Sequence, residues 1–448
     1  MITQVRIDGF KSFLDFQVDV PPVMVMLGLN GAGKSNFFDA LRLVAGTFRD
    51  GFEQMVATDR RLAARDLFHR SGPDGRLVRD EFTITIGALV RSDYGPLPLR
   101  IRLRARYEPG KGRRPGRAVL VGRDSGVWVS SLTDRDWRDR LGLDEELRLA
   151  IGRARDAFVA RTGAKRLALP DGVVDYEAVD LEAGSEPGGV NSVEVVAFRA
   201  FAYGITGDSE LFRLVARETA SWQPMLLDPE AMRGLVPVGP DAPLEHDGRN
   251  LPLVLDRIES RDPTAWRRLV ADLAGLVEGV RDIRPRYLEN RQEFDYEVEF
   301  EHSGWTAPPL LSDGTVRMLA LLAASADPLR RGTLCVEEIE NGMHPTRVAD
   351  LVRRLRRGCG ADVEPTGPPF KQLIASTHSP ALLAALRTDL TGSLVFMEQA
   401  DRVDPERQAV SRVSLARPLR ERDLEAEPGE TTTPQQVARL LRRLGQGA

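Results

Sequence analysis

Gly28-Leu29-Asn30-Gly31-Ala32-Gly33-Lys34-Ser35 fits the pattern G-x-x-x-x-G-K-[ST] at every fixed position. Before it, Val23-Met24-Val25-Met26-Leu27 is a continuous apolar run, as in a strand buried on both faces. After it, Phe37, Phe38, Leu41 and Val44 recur at helical spacing, and Gly46 is expected to end that helix. Strand, glycine-rich loop and helix in that order separate a phosphate-binding loop from a chance glycine cluster. Glycines let successive N–H groups point inward, and the helix N-terminus adds a positive dipole end. Lys34 is placed to reach the β- and γ-phosphates, and the Ser35 hydroxyl to hold Mg²⁺. ATP and Mg²⁺ are the expected cofactors. Gly28, Asn30, Gly31, Gly33, Lys34, Ser35 and Asn36 are the candidate binding residues.

The rest of the site is expected far downstream, in Leu311-Ser312-Asp313-Gly314-Thr315, Val336-Glu337-Glu338 and Ser376-Thr377-His378-Ser379. From Lys34 to Ser312 is 278 residues, so a large segment separates the two parts. Thr333 to Glu338 is an apolar strand ending in two acids. Such a strand delivers carboxylates to the phosphate edge of a doubly wound sheet. Glu337 is expected to hold the Mg²⁺ sphere through water, and Glu338 to orient or deprotonate the attacking water. His378, at a strand end between hydroxyl residues, is read as a γ-phosphate sensor, although a lone histidine is more often structural. Taken alone, Ser312-Asp313-Gly314 would be no more than a helix cap.

At 448 residues the chain has room for two or three domains. A net charge of −4 supplies no general attraction for nucleic acid, so any such binding must use a local patch. Two cysteines, Cys335 and Cys359, exclude a disulfide framework and suit a reducing compartment. The opening residues lack a signal-peptide core, and no 18-residue apolar run could span a bilayer. A cytoplasmic location without a membrane is expected.

The opening has short strands at 2–7 and 16–20. Glu81 to Val90 and Leu99 to Tyr107 read as an antiparallel β annex, followed by a Gly/Pro/Arg-rich loop. The stretch from about 117 to 282 reads as mostly helical, with Trp266, Leu269, Val270, Leu273, Leu276, Val277 and Val280 on one helix face. Beyond 282 strands and helices alternate, arguing a parallel doubly wound sheet. The fold class is therefore α/β: a mainly parallel sheet with an antiparallel annex, split by a mostly helical insertion. The expected divisions are 1–108, 109–282, 283–400 and a 401–448 tail ending in a helix at 433–444.

The stretch Ile7-Asp8-Gly9-Phe10-Lys11-Ser12-Phe13, continuing through the glycine-rich loop to Asp39-Ala40, resembles the start of SMC and RecF-type ATPases. The later half resembles the AAA-21 group of ABC-type ATPases, which is related to the OLD family. It does so through Leu311 to Leu322, Glu337-Glu338-Ile339-Glu340-Asn341-Gly342-Met343-His344-Pro345 and Ser376-Thr377-His378-Ser379-Pro380. The resemblance implies an ABC-type head that closes as an ATP-sandwiched homodimer. In that arrangement Ser312 and Gly314 form a signature loop that caps the nucleotide of the opposite subunit, and His344 faces the seam. Glu337 stands where the family usually has Asp. Asp313 and Thr315 replace the Gly and Gln of transporter signatures, and no glutamine is assigned to a Q-loop; hydrolysis is expected but slow. A TOPRIM nuclease is not expected, because Asp401 and Asp404 are spaced wrongly for its D-x-D.

Arg100, Arg102, Arg104 and Arg106 alternate with Ile101, Leu103 and Ala105, so a strand would line four guanidiniums on one face. Lys111, Arg113, Arg114 and Arg117 follow. The stripe could track a DNA phosphate backbone, or be a solvated face balanced by acids. Arg353, Arg354, Arg356 and Arg357 read as a helix end that favours cations. The leading functional expectation is an SMC/RecF-like ATPase acting in double-strand break repair, recombination or defence against phage. The alternatives are an ATP-gated scaffold or sensor for a separately encoded effector nuclease and, less well matched, an ABC transporter subunit, whose P-loop and signature lie much closer together.

Overall fold

The computed structural model describes residues 1–71, 76–110, 115–121, 125–130, 145–162, 165–168, 174–177, 210–330, 332–360, 370–386, 391–404 and 409–419. Its centre is a five-stranded sheet in the order Gly332–Val336, Lys371–Thr377, Val23–Leu27, Leu394–Asp404, Ala409–Pro418. The first four strands are parallel and the last is antiparallel. Met225 adds a parallel bridge to Val336 outside the first strand.

The apolar run at 23–27 is continuous because both faces of this sheet are covered. Met24 and Met26 enter one core with Cys335, Ile374, Val395 and Met397. Val23, Val25 and Leu27 enter the other with Leu334, Val336, Leu373 and Ala375. The period of two along each strand thus divides the residues between two cores. The first core lies under the helix Lys34–Asp50 and an antiparallel sheet; the second lies under the helices Leu251–Arg261, Pro263–Ala274, Asp313–Ala326 and Pro345–Leu355.

That antiparallel sheet is the expected annex, enlarged to eight strands. Glu81–Ser92 and Gly95–Glu108 pair along their length, and Ile2–Asp8 and Phe16–Asp19 continue one side. Among its described residues segment 109–282 is mainly helical, as expected, but it also adds strands that the sequence did not suggest. Arg117–Leu120 and Gly126–Ser130 pair with Gly95–Glu108, and Val174–Glu177 and Lys165–Ala168 extend the sheet from there. These short runs complete the open edge of a long strand, a non-local gain that local periodicity does not reveal. The segment also supplies the helices Glu145–Thr162 and Glu210–Thr219. The helix expected around 266–280 runs from Pro263 to Ala274, and Val280–Leu288 is instead a strand paired with Glu293–Phe300.

Two smaller expectations change. The helix after the glycine-rich loop passes through Gly46 and ends at Gly51. Gly46 is there for packing: a Cβ would sit 2.3 Å from the Met55 sulfur. The expected C-terminal helix at 433–444 and the basic residues Lys111, Arg113 and Arg114 lie outside the described residues. Among those described, no helix is long and apolar enough to cross a membrane.

Candidate nucleotide site

The strand Val23–Leu27 runs into the glycine-rich loop, and its parallel neighbour Lys371–Thr377 and the next strand beyond, Gly332–Val336, end on the same side. Parallel pairing in register brings Thr377 opposite Leu27 and Val336 opposite Ala375. The carboxyl ends of three adjacent strands therefore carry the loop, the two acids and His378 to one edge, where open α/β sheets bind ligands.

Gly31 and Gly33 take φ values of 83° and 99°, left-handed conformations that side chains rarely adopt. Gly33 is also the N-cap of the following helix and provides no side-chain cap. The first N–H groups of that helix are thus left to an anion. A Cβ on Gly33 would fall 2.1 Å from Ser414 Oγ, and Gln399 Nε2 donates to the Gly31 carbonyl at 2.6 Å. The strands Leu394–Asp404 and Ala409–Pro418 therefore hold the loop from outside.

Lys34 is buried, and its ammonium donates to the carbonyls of Gly28 at 2.6 Å and Leu29 at 2.8 Å. Desolvation lowers its pKa against the fields of Glu338, Glu340 and Glu337, in that order. The three carboxylates thus act on the P-loop lysine through their field. Glu337 also meets Arg61 at 3.4 Å, Arg61 meets Asp39 at 3.1 Å, and Asp39 meets Lys11 at 2.6 Å. Ser35 is half-buried at the first turn of the helix. Among the described residues no group of three His, Cys, Asp or Glu side chains could hold a metal alone. Ser35 and Glu337 match instead the sparse donor set typical of Mg²⁺, which keeps water and phosphate oxygens in its shell. Asn36 donates to Ser12 Oγ at 2.7 Å, so it braces the loop from the side.

Glu338 is one of the few non-glycine residues in the left-handed region, with φ 50°. Its N–H donates to Ser376 Oγ at 3.0 Å, and the next residue, Ile339, donates to the Ser376 carbonyl at 3.0 Å. One buried serine on the neighbouring strand thus fixes the turn that exposes Glu338. His378 is turned toward Glu340, which the sequence analysis did not single out. The Glu340 carboxylate accepts from the His378 main-chain N–H at 2.7 Å, with His378 Nδ1 2.9 Å away.

Ser312 caps the helix Asp313–Ala326: its Oγ accepts from the Thr315 N–H at 3.2 Å. Gly314 packs on the turn after the acids, where a Cβ would lie 2.7 Å from the Gly342 carbonyl. Arg233 secures the loop, donating to the Leu311 carbonyl at 2.9 Å and pairing with Asp313 at 2.5 Å. The described contacts of Ser312 and Gly314 are with Thr315 and Gly342, not with the P-loop. Leu310 beside them is 78% exposed. His344 is exposed and bonds Thr346 at 2.8 Å.

The arginine stripe does line one face, but Arg100 is buried at 6% exposure and cannot reach a solvent-borne phosphate chain. Arg104 meets Glu81 at 2.5 Å, Arg106 meets Glu108 at 3.5 Å and Arg102 lies over Trp128. Likewise Arg354 and Arg357 share Asp272, and Arg353 pairs with Asp350.

Residues 228–384 match the family described as AAA domain, putative AbiEii toxin, Type IV TA system. The match takes in Leu311–Thr315, Glu337, Glu338 and His378, and begins after the P-loop. No curated protein matches the chain. Similar solved structures are SMC heads. One, bound to the C-winged helix domain of ScpA, is 14% identical, with 93% of this chain and 98% of that one covered and a TM-score of 0.46. The head with a coiled coil and joint from Pyrococcus yayanosii is 12% identical, with 99% of each chain covered and a TM-score of 0.45. The head from Thermotoga maritima is 13% identical, with 93% and 98% covered and a TM-score of 0.36. The glycine-rich motif and the strand order give the chain an α/β P-loop fold, within which residues 228–384 match the AAA-domain family model.

Proposed function

We propose that this chain binds and hydrolyses ATP with Mg²⁺ and closes as a homodimer around it. The observation carrying this reading is the sheet topology that brings the ends of the Glu337–Glu338 and His378 strands to the P-loop edge, while the described contacts of Ser312 and Gly314 are with Thr315 and Gly342. A single chain then offers one nucleotide cradle and one cap, and two chains complete each other. Lys34 and the uncapped helix N-terminus hold the phosphates, and Ser35 and Glu337 are the residues that would hold Mg²⁺. When bound, the metal would neutralise the phosphate oxygens. Glu338 orients the attacking water and accepts its proton, while His378 contacts the γ-phosphate side.

Glu338→Gln tests this directly. The variant should bind ATP, lose roughly 10²–10⁴-fold in turnover, and accumulate as an ATP-dependent dimer in sedimentation. A monomeric variant with full ATPase activity would refute the sandwich.

The setting we propose is DNA repair, recombination or phage defence, either directly or by gating a separately encoded effector. The support is the sequence resemblance. The paired arginines at 100–106 do not add to it, so a DNA surface is to be sought elsewhere. Duplex DNA or DNA ends should stimulate the ATPase; a rate indifferent to DNA would favour the effector-gating alternative.

A further inference from the structure

Glu340 lies two residues past Glu338, in the turn that leads to the helix Pro345–Leu355, and is 9% exposed. Its Oε1 faces two N–H-bearing groups of one residue, the His378 main-chain nitrogen at 2.7 Å and the ring Nδ1 at 2.9 Å. An oxygen already accepting the main-chain N–H is an acceptor, so the ring nitrogen beside it must donate. The imidazole proton is thereby placed on Nδ1, and Nε2 is left as the outward nitrogen. The main-chain bond fixes where His378 stands, and the ring bond fixes how it turns. The His378 side chain remains 49% exposed, and no bond to Nε2 is described. Glu340 Oε2 is buried with no hydrogen-bond partner among the described residues. An oxygen left in that state is unfavourable. The field of the carboxylate also acts on Lys34, and the residue its Oε1 is described as touching is His378.

We propose that Glu340 is the positioning residue of His378, holding the ring so that Nε2 is presented to the γ-phosphate. This rests on the reading of His378 as the phosphate sensor. Glu340 touches no reacting atom; it acts through the histidine. The arrangement separates two neighbouring carboxylates by task. Glu338 is exposed for water, and Glu340 is buried for the sensor.

Two variants of the full chain test it. Glu340→Gln keeps an oxygen acceptor at Oε1, and Glu340→Ala removes it. Long-range ¹H–¹⁵N NMR of nucleotide-free protein should show the His378 proton on Nδ1 in the parent and in Glu340→Gln. In Glu340→Ala it should move to Nε2. In steady-state kinetics, Glu340→Ala should lower kcat about as much as His378→Ala, roughly 10–100-fold, with KM for ATP within about twofold. The double variant should be no slower than either single one, and Glu340→Gln should restore most of the rate. An unchanged tautomer in Glu340→Ala, or losses that multiply in the double variant, overturns the proposal. A parent that does not hydrolyse ATP while the tautomer still shifts sinks the ATPase reading and supports the Glu340–His378 pairing.

Discussion

The ammonium of Lys34 closes on the carbonyl of Gly28 at 2.6 Å, so the P-loop lysine satisfies itself on its own loop. With its charge also penalised by burial, it gains most from a phosphate that replaces both carbonyls. Lys34→Ala should therefore weaken ATP binding by roughly 10- to 100-fold, the worth of one hydrogen bond to a charged group. Calorimetric titration checks it, and an unaltered affinity would remove Lys34 from the phosphate site.

Ser376 carries Glu338 through a single hydroxyl. Ser376→Ala takes away the acceptor of the Glu338 N–H without touching any proposed ligand contact. Turnover should fall by roughly tenfold or more because the water-orienting carboxylate is no longer held in place, while ATP affinity stays near that of the parent. Equal losses in affinity and turnover would mean that the serine supports the whole loop.

Arg233 ties the Leu311 carbonyl and Asp313 to the short helix Pro229–Met232. Arg233→Ala should leave ATP binding by the monomer unchanged and weaken ATP-dependent dimerisation by several-fold. Sedimentation of Glu338→Gln with and without this second change reads the difference. A dimer of undiminished strength would separate Arg233 from the seam.

Gly314 has no room for a side chain, since a Cβ would meet the Gly342 carbonyl at 2.7 Å. Gly314→Ala must push the 340–343 turn away from the signature helix. We expect a lower melting temperature, with a stability loss of about 1–3 kcal/mol from overpacking. A variant as stable as the parent would show that the turn gives way freely.

His69 is buried, with Nδ1 2.7 Å from the Lys11 carbonyl, and desolvation holds its pKa below 6.5. As pH falls below 6.5 the unfolded chain takes up a proton that the folded chain resists, so stability is lost on the acid side. Between pH 7.5 and 5.5 the parent should lose more of its melting temperature than His69→Gln. Identical losses would assign the acid sensitivity to other groups.

The P-loop, the acid-ended strand and the sensor strand were legible because each joins a fixed chemistry to a simple periodicity. The Glu340 carboxylate was not, since Glu338-Ile339-Glu340 reads as solvated acids until a strand from residue 371 onward brings His378 beside it. Ser376 was hidden for the same reason: a hydroxyl inside a strand shows its partner only after pairing. The strands Arg117–Leu120, Gly126–Ser130, Lys165–Ala168 and Val174–Glu177 are too short to declare themselves, and form on the edge that Gly95–Glu108 offers. The arginine stripe followed the right periodicity, but alternation does not tell which guanidiniums a folded neighbour covers.

The central strand Val23–Leu27 is flanked by strands that begin at Lys371 and Leu394. During synthesis the P-loop motif therefore leaves the ribosome long before either neighbour exists. At about 5–20 residues per second, the nascent chain carries an unpartnered Val23–Leu27 for roughly 20–70 s. Its most apolar strand must be shielded through that interval, and the nucleotide site is among the last parts of the molecule to become whole.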